Sequence, residues 1–224
     1  NRPDAWVIDE PLYAHYLTQV QVAHPGVDEV IAHHETDWTK VVDHITGPIP
    51  HGRAIYYQKH MSHHWLPHLR GAWVLKLFNA FLIRHPAEVL ASLTVRMGLP
   101  VLRDTGLPQQ VEIFRFIREE TGETPPVLDS EDILKDPRGT LSRLCELAGV
   151  PFDERMLAWP AGRRETDGIW AKHWYDAVER STGFEPYRPR SREVPKELAP
   201  LLEECLPFYD ELRPYRITTQ GSAA

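Results

Sequence analysis

Short apolar runs alternate along the chain with longer segments in which apolar residues recur at helical spacing. The short runs are rich in β-branched and aromatic residues and predict strands at 5–9, 53–58, 81–83 and 126–129. The longer segments predict helices at 12–22, 37–45, 66–77, 87–97, 109–120 and 136–147. Strands that alternate with helices favour an α/β fold, with a parallel sheet that helices cover on both faces.

Prolines and glycines mark the boundaries of these elements. Pro86 suits the first position of the helix after the third strand, because that position needs no backbone N–H donor. After Phe152 the chain is rich in arginine, tryptophan and proline, and we expect its last part to wrap the core. No repeat or linker interrupts the pattern, which predicts a single domain over 1–224 with a frayed tail at 218–224.

The composition is typical of a soluble globular protein. Of the 224 residues, 42% are hydrophobic and 25% are charged. The net charge of −7 argues against a broad nucleic-acid-binding surface but allows a small basic pocket. No apolar run approaches the ~20 residues that span a bilayer, and there is no signal peptide. We therefore expect a cytoplasmic protein with neither a nucleic acid nor a membrane as partner.

Neither a disulfide framework nor a metal centre is indicated. Cys145 and Cys205 lie in segments that predict amphipathic helices, where a free cysteine packs as a small hydrophobe. His60, His64 and His68 are spaced by four residues and would share one helix face, as metal ligands can. A proline inside this stretch would disrupt such a helix, and no carboxylate or cysteine completes the ligand set. A histidine-rich loop that lines a polar cleft is therefore favoured.

A basic residue and a hydroxyl follow the third predicted strand. Arg84 comes directly after the apolar run, and Ser92 lies about two turns into the next helix. Ligands of parallel α/β sheets bind beyond the carboxyl ends of the strands, near helix N-termini that favour anions. A guanidinium offers a planar set of donors suited to phosphate, and a serine hydroxyl adds a contact. The pair predicts a nucleotide-phosphate site.

The second predicted strand is followed by a lysine and a histidine. Lys59 and His60 are expected at the same edge of the sheet as Arg84, with the lysine as a point charge and the histidine as a proton acceptor. Glu10, at the end of the first strand, either orients an acceptor or caps a loop.

Two adjacent arginines open a third candidate segment. Arg163, Arg164, Gly168 and Trp170 could form a loop that closes on a nucleotide, with the cations on phosphate and the indole stacked on a base. The alternative is a surface pairing of the arginines with neighbouring acidic residues, with the tryptophan as an anchor of the loop.

These segments together resemble the 3′-phosphoadenosine-5′-phosphosulfate-dependent sulfotransferase family, in particular bacterial sulfotransferase-like P-loop proteins. The stretch 81–86 with Ser92 is similar to the family's 3′-phosphate-binding strand, loop and helix, which implies that Arg84 and Ser92 contact that phosphate. The strand before His60 is similar to the one that carries the general base, which implies this role for His60, with Lys59 as a possible helper. The implied co-substrate is 3′-phosphoadenosine-5′-phosphosulfate, and no metal is implied.

The segment 163–170 is similar to the family's loop that closes over the donor, although Glu165 stands where the family has a glycine. The resemblance implies that this loop contacts the donor through Arg163, Arg164, Gly168 and Trp170. The family also begins with a strand and a glycine-, serine- or threonine-containing loop that cradles the 5′-phosphosulfate. We find neither that loop nor a GxxxxGK[ST] motif, so we expect the first strand of the fold to be missing. The missing strand and loop would be explained if the sequence is a fragment of a longer protein or a natural short form.

The resemblance implies transfer of a sulfuryl group to a hydroxyl or amine of a small-molecule acceptor. The alternatives are a non-catalytic binder of adenosine 3′,5′-bisphosphate or an inactive fragment. A P-loop kinase relative is disfavoured, because no Walker lysine is present. The sequence indicates neither the acceptor nor the oligomeric state.

Overall fold

The computed structural model describes residues 1–22, 24–189 and 191–219. Two compact units make up the chain, and each is described by itself. The first comprises Asn1–Leu77 and Asp153–Gly183, and the second comprises Phe78–Phe152 and Phe184–Ala224. The single domain over 1–224 stays a prediction. Of the expected frayed tail 218–224, the last five residues lie outside the described residues.

The described chain contains four strands and eleven α-helices, and only 3-10 turns separate β2 from β3. The strands are β1 (Ala5–Asp9), β2 (Ile55–Lys59), β3 (Phe81–Ile83) and β4 (Val127–Asp129). The helices of the first half are α1 (Tyr13–Gln19), α2 (Val27–His33), α3 (Trp38–Ile45), α4 (Pro86–Met97), α5 (Leu102–Thr105) and α6 (Leu107–Thr121). The remaining helices are α7 (Ser130–Lys135), α8 (Pro137–Leu147), α9 (Ala171–Trp174), α10 (Asp176–Arg180) and α11 (Ala199–Leu212).

The first unit is built around the parallel pair β1 and β2. Ala5 lies opposite Ile55 and Asp9 lies opposite Lys59, so both strands end at the same edge. Helices α1 to α3 bury their apolar faces in one core. The carboxylate of Asp37 caps α3 by accepting a hydrogen bond from the Thr39 N–H at 3.0 Å, which satisfies one of the unpaired donors of the first turn.

The second unit contains the parallel pair β3 and β4. Ile83 lies opposite Asp129, so the residues after β3 start at the same edge as the end of β4. Pro86 is the first residue of α4, as predicted, and His85 caps this helix through Nδ1, which accepts from the Ala87 N–H at 3.2 Å. The Tyr209 hydroxyl of α11 donates to the buried Asp129 carboxylate at 2.6 Å.

The parallel α/β class is confirmed, and the four predicted strands are all present. The helix predicted at 66–77 is wrong. Two short 3-10 turns, Pro67–Leu69 and Ala72–Lys76, stand there instead, because a proline and the extended Gly71 prevent a continuous α-helical ladder.

No helix among the described residues is both long and apolar enough to cross a membrane. The cytoplasmic location stays a prediction.

Candidate active site

The register of β1 and β2 brings four polar residues to one strand edge. Asp9 and Glu10 follow one another at the end of β1, and Lys59 and His60 do so at the end of β2. The Lys59 ammonium lies 3.3 Å from Asp9 Oδ1 and also donates to Glu10 Oε1. Asp9 and Glu10 are only 9% and 8% exposed, so this is a largely buried ion cluster.

Tyr175 completes the cluster from a distant part of the chain. Its hydroxyl accepts from Lys59 Nζ at 2.7 Å and donates to Asp9 Oδ2 at 2.8 Å. It also lies 3.3 Å from Glu10 Oε1. Sequence analysis did not single out Tyr175, because 116 residues separate it from Lys59 and no local pattern marks it.

The cluster fixes the charge of Lys59. Burial acts to lower the pKa of Lys59, but the carboxylates of Glu10 and Asp9 outweigh burial and raise this pKa above its usual value. Burial also raises the pKa of Glu10, against the attraction of Lys59. Glu10 further adopts a left-handed backbone conformation, with φ of 43°, which is uncommon outside glycine and concentrates at functional positions. The lysine is therefore a counter-ion for two carboxylates.

His60 is a neutral imidazole at the edge of this cluster. Its Nε2 lies 3.2 Å from the Gln58 amide oxygen, which can only accept, so Nε2 carries the proton and Nδ1 has the free lone pair. Desolvation of the ring by the surrounding protein, and then the Lys59 ammonium, lower the pKa of His60 to about 4, although His60 is an exposed residue. At neutral pH this ring is able to accept a proton.

The arginine segment of the first unit folds back on itself. The Arg164 backbone N–H donates to the Asp167 carboxylate at 2.8 Å, and its guanidinium donates to the Pro160 carbonyl at 3.0 Å. Arg163 is exposed, and its guanidinium donates to the Gly168 carbonyl at 3.2 Å. These contacts hold two cations at the surface of one compact turn.

Trp170 lies in the core of the first unit and is 2% exposed. Tyr13 meets the indole edge-on, with ring centroids 5.1 Å apart. Stacking of this indole on a base would require the segment to rearrange, and this role stays a prediction.

Gly168 is required by the packing of this tryptophan. A Cβ atom at Gly168 would lie 2.1 Å from the Trp170 ring, far inside van der Waals contact. We expect Gly168→Ala to destabilise the protein by roughly 1–3 kcal/mol, the usual cost of overpacking a core. Gly71→Ala is the matched control, because its Cβ would meet Trp73 at an ordinary 3.6 Å. Urea unfolding measures both, and equal losses would contradict the packing argument.

Arg84 and Ser92 lie in the second unit, where Arg84 precedes α4 and Ser92 lies within this helix. The Arg84 guanidinium contacts the Glu88 carboxylate, with Nε at 3.0 Å from Oε2, and remains partly exposed. Glu88 and Ser92 are four residues apart on a helix and therefore share a face. A guanidinium and an exposed hydroxyl on one helix face suit a phosphate group. The expectation that Lys59 and His60 share this edge concerns two separately described units and stays a prediction.

The histidines of the first unit do not form one helix face. His64 ends one 3-10 turn and His68 lies in another, where it makes a 2.7 Å Nε2–Nε2 contact with the buried His15. Within the described ranges, no group of three or more His, Cys, Asp or Glu side chains is arranged to hold a metal ion.

The chain matches the model of a known protein family. A family model described as a sulfotransferase domain matches residues 1–215. The chain belongs to the sulfotransferase domain family. Two curated Arabidopsis thaliana relatives, branched-chain-amino-acid aminotransferase-like proteins 2 and 1, are each 36% identical to this sulfotransferase domain over 214 residues. These alignments cover 95% of the chain but only 37% and 38% of the two relatives.

A solved structure shows a distant likeness to this sulfotransferase domain. It is the sulfotransferase domain from the curacin biosynthetic pathway, with a TM-score of 0.40 and 16% identity. The alignment covers 93% of this chain and 79% of that one. The aminotransferase-like names describe proteins more than twice as long as this sulfotransferase domain, so they are not transferred to it.

Proposed function

We propose that this sulfotransferase domain transfers a sulfuryl group from 3′-phosphoadenosine-5′-phosphosulfate to a hydroxyl or amine of a small-molecule acceptor. The observation that carries the proposal is His60, a neutral imidazole with a free Nδ1 at the carboxyl end of a parallel strand. Ligands of such sheets bind beyond this edge. Family membership makes a sulfuryl donor the natural substrate class.

The proposed step is an in-line displacement at sulfur. The acceptor oxygen or nitrogen forms a bond to sulfur, while the bond from sulfur to the 5′-phosphate oxygen breaks. The acceptor's proton moves to Nδ1 of His60, and adenosine 3′,5′-bisphosphate leaves. By analogy with phosphoryl transfer, positioning and charge stabilisation supply most of the catalysis.

Glu10 has the features of an acceptor-orienting residue. It is buried, strained and placed next to the strand edge that carries His60. Lys59 donates to Oε1 of this carboxylate, and the Tyr175 hydroxyl lies 3.3 Å from the same oxygen. Its Oε2 is therefore the oxygen that would meet an acceptor N–H or O–H. Lys59 would act by holding this carboxylate in place rather than by contacting the donor.

The donor's 3′-phosphate would bind Arg84 and Ser92. We expect Arg84→Met to weaken adenosine 3′,5′-bisphosphate binding by roughly 10–100-fold, the usual value of hydrogen bonds to a charged group. Adenosine 5′-monophosphate, which lacks the 3′-phosphate, should bind both proteins with similar affinity. Isothermal titration calorimetry measures all four constants.

The matched control for this experiment is Arg143→Met, which removes an arginine that pairs with Glu146 on the surface of α8. It should bind adenosine 3′,5′-bisphosphate like the unchanged protein. If Arg84→Met left the preference for the 3′-phosphate intact, this assignment would be wrong.

One observation favours the alternative, a non-catalytic binder of adenosine 3′,5′-bisphosphate. The Lys59 ammonium contacts two carboxylates and a tyrosine hydroxyl. These contacts compete with any stabilisation of the negative charge on a leaving phosphate. A binding protein would keep the phosphate contacts of Arg84 but would not transfer a sulfuryl group. Binding and transfer measurements on the same protein separate the two functions.

A further inference from the structure

Asp9 is the contact point between β1 and the segment that follows the two arginines. Its Oδ2 accepts hydrogen bonds from the Gly168 backbone N–H at 3.3 Å and from the Tyr175 hydroxyl at 2.8 Å. Its Oδ1 lies 3.3 Å from the Lys59 ammonium. A single carboxylate, 9% exposed, thus joins the strand edge to both ends of the stretch 168–175.

The arginines are tied to this anchor through short internal contacts. Arg163 donates to the Gly168 carbonyl, and the Gly168 N–H donates to Asp9. The backbone of Gly168 therefore links the exposed guanidinium to the end of β1. Arg164 is held in the same turn by Asp167. The position of the two cations therefore depends on the acceptor that the strand offers to Gly168.

Asparagine, the neutral residue with the same shape as aspartate, could not accept all the hydrogen bonds that Asp9 accepts. An asparagine at position 9 keeps one carbonyl oxygen but replaces the other oxygen with an NH2 group, which cannot accept. Lys59 and Tyr175 would keep Glu10 Oε1 within reach, whereas the Gly168 N–H would have to compete with them for the one acceptor at position 9. Buried donors that lose their partner carry the full desolvation penalty, so the anchored segment would open more often.

We propose that Asp9 is a positioning residue that latches the Arg163–Arg164 turn onto the carboxyl end of β1, with Tyr175 as its second point of attachment. The latch is a property of the first unit in the absence of any ligand. Its effect on nucleotide binding rests on the proposed function, because only then do the two arginines meet a phosphorylated ligand.

Hydrogen–deuterium exchange of the free protein tests the latch directly. In Asp9→Asn, amides of residues 163–175 should exchange roughly tenfold faster or more, whereas amides of α1 and α3 keep their protection. Asp4→Asn is the matched control, since Asp4 is a solvent-facing carboxylate of the same unit that pairs with Arg2. Unchanged exchange at 163–175, or equal acceleration throughout the first unit, would overturn the proposal.

Tyr175→Phe provides a second variant in case Asp9→Asn folds poorly. It removes one hydroxyl and leaves the ring, so the same stretch should exchange faster by a smaller factor. The double variant should add little to Asp9→Asn, because both changes break the same attachment. Full additivity of the two effects would contradict a shared latch.

Calorimetry with adenosine 3′,5′-bisphosphate then separates this proposal from the proposed function. A loosened arginine turn should weaken binding of this ligand in Asp9→Asn about tenfold, with no change in Asp4→Asn. If the unchanged protein does not bind the ligand, the proposed function fails, while the exchange experiment still decides the latch. If the ligand binds and Asp9→Asn exchanges faster without losing affinity, the link between the latch and the nucleotide is wrong.

Discussion

His60→Ala is expected to lower the rate of sulfuryl transfer by about 10²–10⁴-fold, the usual contribution of a positioned general base. The loss should fall on kcat, because in the proposed mechanism Nδ1 accepts the acceptor's proton during transfer and the 3′-phosphate is assigned to Arg84 and Ser92. Affinity for adenosine 3′,5′-bisphosphate should not change. Release of this nucleotide from the donor, followed by chromatography, gives the rate.

The control is His44→Ala, which removes an exposed imidazole from α3 of the same unit. Its rate should equal that of the unchanged protein. An unchanged rate in His60→Ala would remove His60 from the chemistry and leave the carboxylates of Asp9 and Glu10 as candidate proton acceptors at this edge.

The rate of sulfuryl transfer at acidic pH should depend on the protonation of His60. The surrounding protein and Lys59 lower the pKa of His60 to about 4, and a general base works only when deprotonated. Transfer should therefore persist from neutral pH down to about pH 5 and fall below about pH 4. Lys59→Met removes a neighbouring positive charge, so the pKa of His60 and the acid limb should move to higher pH.

Lys59→Met is expected to produce the largest loss of stability. It leaves the carboxylates of Asp9 and Glu10 side by side in a largely buried site without their cation. Breaking a fully buried ion pair costs roughly 3–5 kcal/mol, and partial solvent exposure of Lys59 reduces this to about 2 kcal/mol or more. Urea unfolding at pH 8 measures the loss.

The pH dependence of that loss has a definite sign. Burial raises the pKa of Glu10, and removing the opposing attraction of Lys59 raises this pKa further above its unfolded value. The folded state then binds more protons than the unfolded one, so the loss in Lys59→Met shrinks as pH falls through the folded pKa of Glu10. Adding Glu10→Gln should recover part of the stability at pH 8. Lys40→Met, which removes an exposed lysine, should change little, and an equal loss in both lysine variants would contradict the cluster.

Local patterns predicted the elements that bear the site. The apolar run at 81–83, the arginine after it and a proline suited to a helix start fix β3 and the first turn of α4 without any distant information. The strands at 5–9 and 53–58 were likewise predictable from short apolar runs, whereas their register, with Asp9 opposite Lys59, is known only from the structure. The error at 66–77 is also local, because Pro67 and the extended Gly71 interrupt a stretch whose apolar spacing is helical.

The remaining features depend on contacts between residues far apart in the sequence, which the local pattern of apolar positions does not indicate. The sequence leaves open whether Trp170 stacks on a base or anchors its loop, and only the structure shows that it is buried in a core where Tyr13 of α1 meets it edge-on. Tyr175 joins the strand-end cluster through Lys59 and Asp9, each more than a hundred residues earlier in the chain. The occupation of Lys59 by two carboxylates likewise appears only when the strands are paired. Such contacts set the burial and charge of a site, whereas the sequence pattern sets its location.

Mass spectrometry of an acceptor mixture tests the central claim most directly. The protein is incubated with 3′-phosphoadenosine-5′-phosphosulfate and a set of small hydroxyl and amine compounds. We predict that at least one acceptor gains the mass of an SO3 group, with an equal amount of adenosine 3′,5′-bisphosphate released. Tight binding of the donor with no acceptor gaining SO3 would contradict sulfuryl transfer and identify a binding protein instead.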